Sequence, residues 1–311
     1  MALFKWHIFI SLVFLNYYMN TKNSFDHCLN AVNGKKGTKK YIVYKHLKPL
    51  LIEKIKECAF LDGFKSIRIN LDHFLNCFFL LFNGGIQLIG ISEQMSLRTF
   101  YKYYNLMHRY GIFENAHKDF ITSIGVTHNG VTDSMCVKSL YNKAETNYFY
   151  KQKGKRGVKI SLLSGINKVI YAFDVKTANM DDRPAFTEMV KSCKNSLECI
   201  NVYADSGYDG KKFTTRCKAS KINMISVPRK NNKGICKRFL SVYDSFMMRK
   251  KRPYIEHINS IIASYRSLSI KRTHSIARFK TLVSLACLIT SIISYKKPRK
   301  ISLRFKNNIP V

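Results

Sequence analysis

The stretch Cys199-Ile200-Asn201-Val202-Tyr203-Ala204-Asp205-Ser206-Gly207-Tyr208-Asp209 decides the reading of this chain. Its first half is an apolar run of strand length. Its second half opens on an acid and breaks at a glycine. Two more acids stand in comparable places. Asp133 lies in the alternating, strand-like run Val131-Thr132-Asp133-Ser134-Met135-Cys136-Val137, and Glu256 in Arg252-Pro253-Tyr254-Ile255-Glu256, at the start of a helical stretch. Carboxylates that converge on one point can hold two divalent cations, the usual apparatus for breaking and joining phosphodiester bonds.

Working outward, the hydrophobic period changes at Gly125. Before it the period is helical: Leu47, Leu50, Leu51, Ile55 and Cys58 share one face, and Asn70 or Asp72 starts a second helix that stops at Gly84-Gly85. Ser96 caps a third, with Phe100, Tyr104 and Met107 on one side and Arg98, Lys102 and Arg109 on the other. A fourth covers about 113–123. Interleaved basic and aromatic residues suit a helix-turn-helix type of DNA-binding head, and a plain helical bundle is the alternative. After Gly125 the period is 2. Strands are predicted at 131–137, at 158–163 and 169–175 around a Gly165–Lys168 turn, at 200–204 and at 222–227. Helices are predicted at 184–193, with Asp181 or Asp182 as cap, and at 210–217, 253–266 and 275–294. The order is strand, strand, strand, helix, strand, helix, strand, helix, which is the ribonuclease-H order. Its acidic positions are the first strand, the end of the fourth, and the final helix. The fold expected is therefore α/β, a ribonuclease-H-like mixed sheet with an N-terminal all-α region. The divisions expected are a poorly defined segment at 1–40, a helical DNA-binding region at 41–124, a catalytic domain at 125–295 and a basic tail at 296–311.

The charge is one-sided. Among 311 residues, 53 Lys plus Arg face 19 Asp plus Glu, a net of +34 with a pI near 9.9. Such a chain seeks a polyanion, and nucleic acid is the common one. An anionic membrane is the alternative, and codon bias in an AT-rich genome would also enrich Lys. Hydrophobic content of 46% excludes disorder as the main state. The nine Cys show no Cys-x-x-Cys and no zinc-finger spacing, which suits a reducing compartment. Lys5 followed by Ile8–Leu15 resembles a short signal-peptide core, but no small-x-small cleavage site follows. The apolar run 281–295 reads as a core helix.

With these residues assembled, the chain resembles a DDE transposase of the bacterial insertion-sequence type, in the IS-four/IS-five-like superfamily related to Harbinger-like elements. The matching blocks run in order over about residues 60–295. Residues 72–115 are similar to the family's N-terminal helical region. Val131-Thr132-Asp133-Ser134 and Gly157-Val158-Lys159-Ile160 resemble its first strands, and Ala178-Asn179-Met180-Asp181-Asp182 the loop after them. Tyr203-Ala204-Asp205-Ser206-Gly207-Tyr208-Asp209 resembles its second-Asp motif, and Arg252-x-x-x-Glu256 with Tyr265-Arg266 and Lys271-Arg272 its Glu helix. The acids are spaced 72 and 51 positions apart. The chain departs from the family at Arg249, where Tyr is usual, at Ala263, where Lys is usual, and in lacking a Trp near residue 87.

The resemblance implies a metal-dependent enzyme that cleaves at transposon ends and joins the freed 3′-hydroxyl to target DNA. Asp133, Asp205 and Glu256 would be its catalytic residues and the ligands of two Mg²⁺ or Mn²⁺ ions. Simpler roles exist for each: a strand-edge acid, a turn acid before Gly207, and a helix partner for Arg252. Lys159 and Arg252 are candidates to hold the scissile phosphate. Arg266, Lys271, Arg272, Arg98 and Lys102 are candidates to contact DNA, with solvated surface as the alternative. Asp181, Asp182 and Asp209 are reserve acids, with cap and turn roles favoured. Partners implied are double-stranded DNA, as terminal inverted repeats and target, and a homodimer or larger synaptic assembly, with no small-molecule substrate. The expected location is the cytoplasm or nucleoid of a bacterium, or a nucleus, without secretion. The alternatives are a catalytically inactive or domesticated DNA-binding descendant, and a basic secreted or membrane-associated protein.

Overall fold

A computed structural model of the chain describes residues 39–84, 91–125, 128–140, 145–149, 152–192, 200–227, 241–271 and 275–295. The expectations for residues 1–38 and for the tail lie outside these. The chain divides into two compact units, Met1–Leu106 and Met107–Val311.

In the first unit, α1 (Lys39–Leu61) buries Leu47, Leu51, Ile55 and Cys58, the stripe that helical periodicity requires. α2 (Leu71–Phe79) starts at Asn70, whose side-chain oxygen accepts the backbone N–H groups of Asp72 and His73 at 2.9 and 3.2 Å. It runs into a π-helical turn, Leu80–Gly84. α3 (Leu97–Arg109) meets α2 through aromatic rings. Phe74 lies 5.6 Å from Phe100 and 5.5 Å from Tyr103, and all three are buried. Arg98 and Lys102 are exposed on α3, and Lys102 Nζ sits 3.7 Å over the Phe64 ring.

The second unit opens with α4 (Ile112–Ile124) and is built on a mixed sheet. Its strands are β1 (Asn129–Ser139), β2 (Asn147–Phe149), β3 (Gln152–Gly165), β4 (Ile170–Thr177), β5 (Ile200–Ala204), β6 (Ile222–Ser226) and β7 (Ile270–Lys271). The central order is β4-β3-β1-β5-β6. The β1–β3 and β3–β4 pairs are antiparallel, and β1–β5 and β5–β6 are parallel. This is the α/β, ribonuclease-H-like sheet with preceding helices that the element order predicted. The short strands β2 and β7 were not expected. Three and two residues long, they are too short to carry a period.

Helices α5 (Asp182–Ser192), α6 (Lys211–Ala219), α7 (Val242–Ser264), α8 (Arg266–Ser269) and α9 (Ile276–Ser294) complete the unit. The apolar C-terminal segment is indeed a core helix. α9 is 19 residues long and meets the length and composition of a membrane span, yet most of it is buried inside the unit. Ser291 Oγ accepts the Ile170 N–H at 3.0 Å, tying α9 to β4. The buried His117 ring of α4 bonds the Ile170 carbonyl at 2.8 Å, and burial pushes its pKa down to about 4, so it stays neutral there.

One boundary is corrected. The helix expected to begin at Pro253 begins eleven residues earlier, at Val242, with Ser241 as cap. Proline at a first helical position is common, which made Pro253 read as a start. Here it stands inside α7.

Leu285 of α9 is fully buried. Leu285→Ala is expected to destabilise the second unit by about 2–5 kcal/mol, read as a lower denaturation midpoint with the slope unchanged.

Candidate active site

The parallel register of β1 and β5 brings the two aspartates together. Val131 pairs with Tyr203, so Asp133 and Asp205 each follow two positions later on adjacent strands running the same way. β5 ends at Ala204, and Asp205 begins a tight turn, Ser206–Tyr208. Its Oδ1 accepts the Gly207 N–H at 2.8 Å. Glycine leaves room for this bond, because a Cβ on residue 207 would lie 2.9 Å from that same oxygen and the carboxylate would have to shift.

Side chains alternate along a strand, so Asp133 and Ser134 leave β1 in opposite directions. Ser134 Oγ donates to Asp182 Oδ1 at 2.6 Å. Lys159 Nζ donates to the same oxygen at 3.1 Å and to the Met180 carbonyl at 2.7 Å. Asp182 Oδ2 lies 3.4 Å from the place a Gly207 Cβ would take, on the flank of Asp205. Asp182 thus stands at the site rather than serving as a simple cap. Asp181 does act locally, accepting the Arg183 N–H at 3.2 Å and pairing with its guanidinium at 2.6 Å. Lys159, predicted to hold phosphate, is half-buried and engaged by Asp182 instead of reaching into solvent.

Helix α7 closes the other side. Asn259 donates to Asp133 Oδ2 at 3.1 Å. Glu256 is one turn earlier on the same flank, and Arg252 one turn earlier again. Arg252 Nε is 3.3 Å from Glu256 Oε1, and the Glu256 side chain is 60% exposed. The structure therefore brings Asp133 and Asp205 together and holds Glu256 on the adjoining helix, paired with Arg252. Among the described residues no three His, Cys, Asp or Glu side chains are gathered closely enough to hold a metal ion.

The electrostatics favour a cation. Burial pushes the Asp133 carboxyl up to about 6. Its own backbone contact at Ser134 opposes this, Asp205 and Asp182 add to the rise, and Arg252 pulls against it. A half-buried carboxylate between two others is a costly arrangement that bound positive charge relieves.

The remaining predicted contacts divide. Arg266 is exposed on α8. Lys271 is 0% exposed, in β7 against the end of β1, and burial lowers its pKa. It is removed from the DNA-facing set, because its ammonium does not reach the surface. Arg272 lies outside the described residues. Asn259 was missed, and Asp182 was expected only as a reserve acid with a cap role favoured. Asn259 had a signal, its position three residues after Glu256 on one helical face. Asp182 had none beyond its place in the quoted loop, since only the sheet sets it beside Ser134.

A ribonuclease-H-like sheet with aspartates on adjacent parallel strands defines the class of nucleic-acid-processing folds to which this unit corresponds. Residues 122–292 match the family model described as transposase DDE domain, and the chain belongs to that family. Among solved structures it is similar to the cryo-EM structure of a piggyBac transposase synaptic complex with hairpin DNA. The TM-score is 0.48 at 12% identity, covering 88% of this chain and 75% of that one. No curated protein matches the chain.

The raised Asp133 pKa has a signed consequence. From its ordinary value of 3.8 up to about 6, rising pH ionises the unfolded form before the folded one, so stability is lost across that window. In EDTA, Asp133→Asn is expected to be more stable than the wild type above pH 6, by about 2 kcal/mol after allowing for residual solvent, and equal to it near pH 3.5. Thermal melts of both proteins across this range check it. A constant difference at all pH values would contradict the assignment.

Proposed function

We propose that this chain is a DNA transposase that cleaves phosphodiester bonds at transposon ends and joins the 3′-hydroxyl to target DNA. Asp133, Asp205 and Glu256 would hold two Mg²⁺ or Mn²⁺ ions. The observation that carries this reading is the level placement of Asp133 and Asp205 on adjacent parallel strands, within a segment that matches the transposase DDE domain. The chemistry two such ions supply when bound is activation of a water or 3′-hydroxyl and stabilisation of the leaving oxygen.

The chain's own groups have separable tasks. Asn259 orients Asp133 by donating to one of its oxygens. Gly207 N–H fixes one oxygen of Asp205. Arg252 pairs with Glu256, and once Glu256 turns to the aspartates the guanidinium is released to take a phosphate in its bidentate fork. Lys159 and Ser134 share the charge of Asp182, which limits its repulsion of the other two acids. The helical region at 41–124 would hold DNA, with Arg98, Lys102 and Arg266 on the backbone. The working form would be a homodimer or larger synaptic complex on inverted repeats, in a cytoplasm, nucleoid or nucleus.

One observation favours a second reading, an inactive DNA-binding descendant. Glu256 pairs with Arg252 on the helix surface, and among the described residues no three ligands are gathered. Incubating purified protein with the DNA flanking its own gene and Mn²⁺ separates the two. Defined nicks that fall at least about 100-fold in Asp205→Ala and Glu256→Gln support the enzyme. Asn259→Ala is expected to lose about 10–100-fold by loosening Asp133. Binding without nicks, unchanged in Asp205→Ala, establishes the descendant.

A further inference from the structure

The first turns of α7 carry an exposed apolar stripe that the catalytic reading does not use. Val242 is 90% exposed, Tyr243 66% and Phe246 59%. The stripe continues directly into Arg249, Lys250 and Arg252, all exposed, with Lys250 Nζ 5.8 Å from the Phe246 ring centre. The only acids on this helix are Asp244, bonded to Ser241 Oγ at 2.8 Å, and Glu256, paired with Arg252. The aromatic faces of Tyr243 and Phe246 and the exposed cations Arg249 and Lys250 form one continuous surface.

That surface leads along the same helix to the aspartates: Arg252 stands two turns before Asn259, which donates to Asp133 Oδ2 at 3.1 Å. From Tyr243 to Glu256 the helix rises about 20 Å, roughly six base-pair steps of a nucleic-acid strand.

We propose that the Val242–Arg252 face of α7 holds unpaired bases of a DNA strand beside the catalytic aspartates. Tyr243 and Phe246 are stacking platforms, and Arg249 and Lys250 hold the backbone. In a fully paired duplex the base faces are covered by their neighbours, whereas a single strand offers them freely, and stacking plus cations binds it without reading sequence. A second copy of the chain is disfavoured as occupant, since a two-fold contact sets one basic cluster against its equal. The proposal rests on the transposase reading for its choice of DNA.

Binding is measured in EDTA by fluorescence anisotropy, on a blunt duplex and on the same duplex with an unpaired extension. Tyr243→Ala/Phe246→Ala is expected to lose about 10–100-fold on the extended DNA and under about threefold on the blunt one. Arg249→Ala/Lys250→Ala weakens both DNAs and flattens the salt dependence. Both changes are at exposed positions, and unchanged melting of the variants shows that the fold is intact. Equal losses of the aromatic variant on the two DNAs, or no loss, overturns the proposal. So does a shift from dimer to monomer on sedimentation with DNA binding unchanged, which marks a protein interface. Because no cation is present, wild-type binding without Mn²⁺-dependent nicking defeats the catalytic reading alone, and failure of the wild type to bind either DNA defeats both.

Discussion

The parallel pairing of β1 with β5 is the constraint on which the rest of this site depends. Three successive residue pairs, Asn129 with Asn201 through Val131 with Tyr203, set two distant parts of the chain in one register. Because both strands run the same way, each acid appears two positions past the last of those pairs. A slip of one position would turn one carboxylate to the opposite side of the sheet. Antiparallel β3 and β4 fix β1 from one side, and β6 fixes β5 from the other. α7 packs on the same two strands and carries Glu256 on its exposed flank, paired with Arg252.

The acids stand against the character of the whole molecule. A chain with a net charge of +34 concentrates Asp133, Asp182 and Asp205 around one glycine turn. Local cations do not neutralise them evenly. Lys159 is given to Asp182 and Arg252 to Glu256, while Asp133 receives a neutral amide. The basic surface draws a polyanion in, and the acidic centre would repel its phosphates unless divalent ions stood between them. The same crowding lowers the stability of the cation-free fold, as functional sites commonly do.

Much of this was legible in the residues. Strand β5 and its turn were clear because an apolar run, an acid and a turn glycine agree over a few positions. The alternation around Asp133 and the hairpin at Gly165–Lys168 were legible for the same reason, since period and turn chemistry act locally. The start of α7 was not, because Pro253 carries the same local signal at a helix start as within a helix. The burial of Lys271 was hidden because a two-residue strand has no period and its surroundings come from β1. Asp182 was read as a cap because its bonds to Ser134 and Lys159 join positions 48 and 23 residues away. Pairings of that range belong to the sheet and leave no mark on the neighbouring sequence.

Pro253 also divides α7 mechanically. It has no N–H, so the Arg249 carbonyl receives no helical bond from residue 253, and the rod is softest there. The Arg252–Glu256 pair spans this joint, one partner immediately before the proline and the other three residues after it. At 3.3 Å and half exposed, the pair is a weak strap across that point. On the proposed function, Glu256 turning to the aspartates would open the strap and free the guanidinium. Recruiting the third acid and slackening the rod would then be one event, with Asn259 keeping its hold on Asp133.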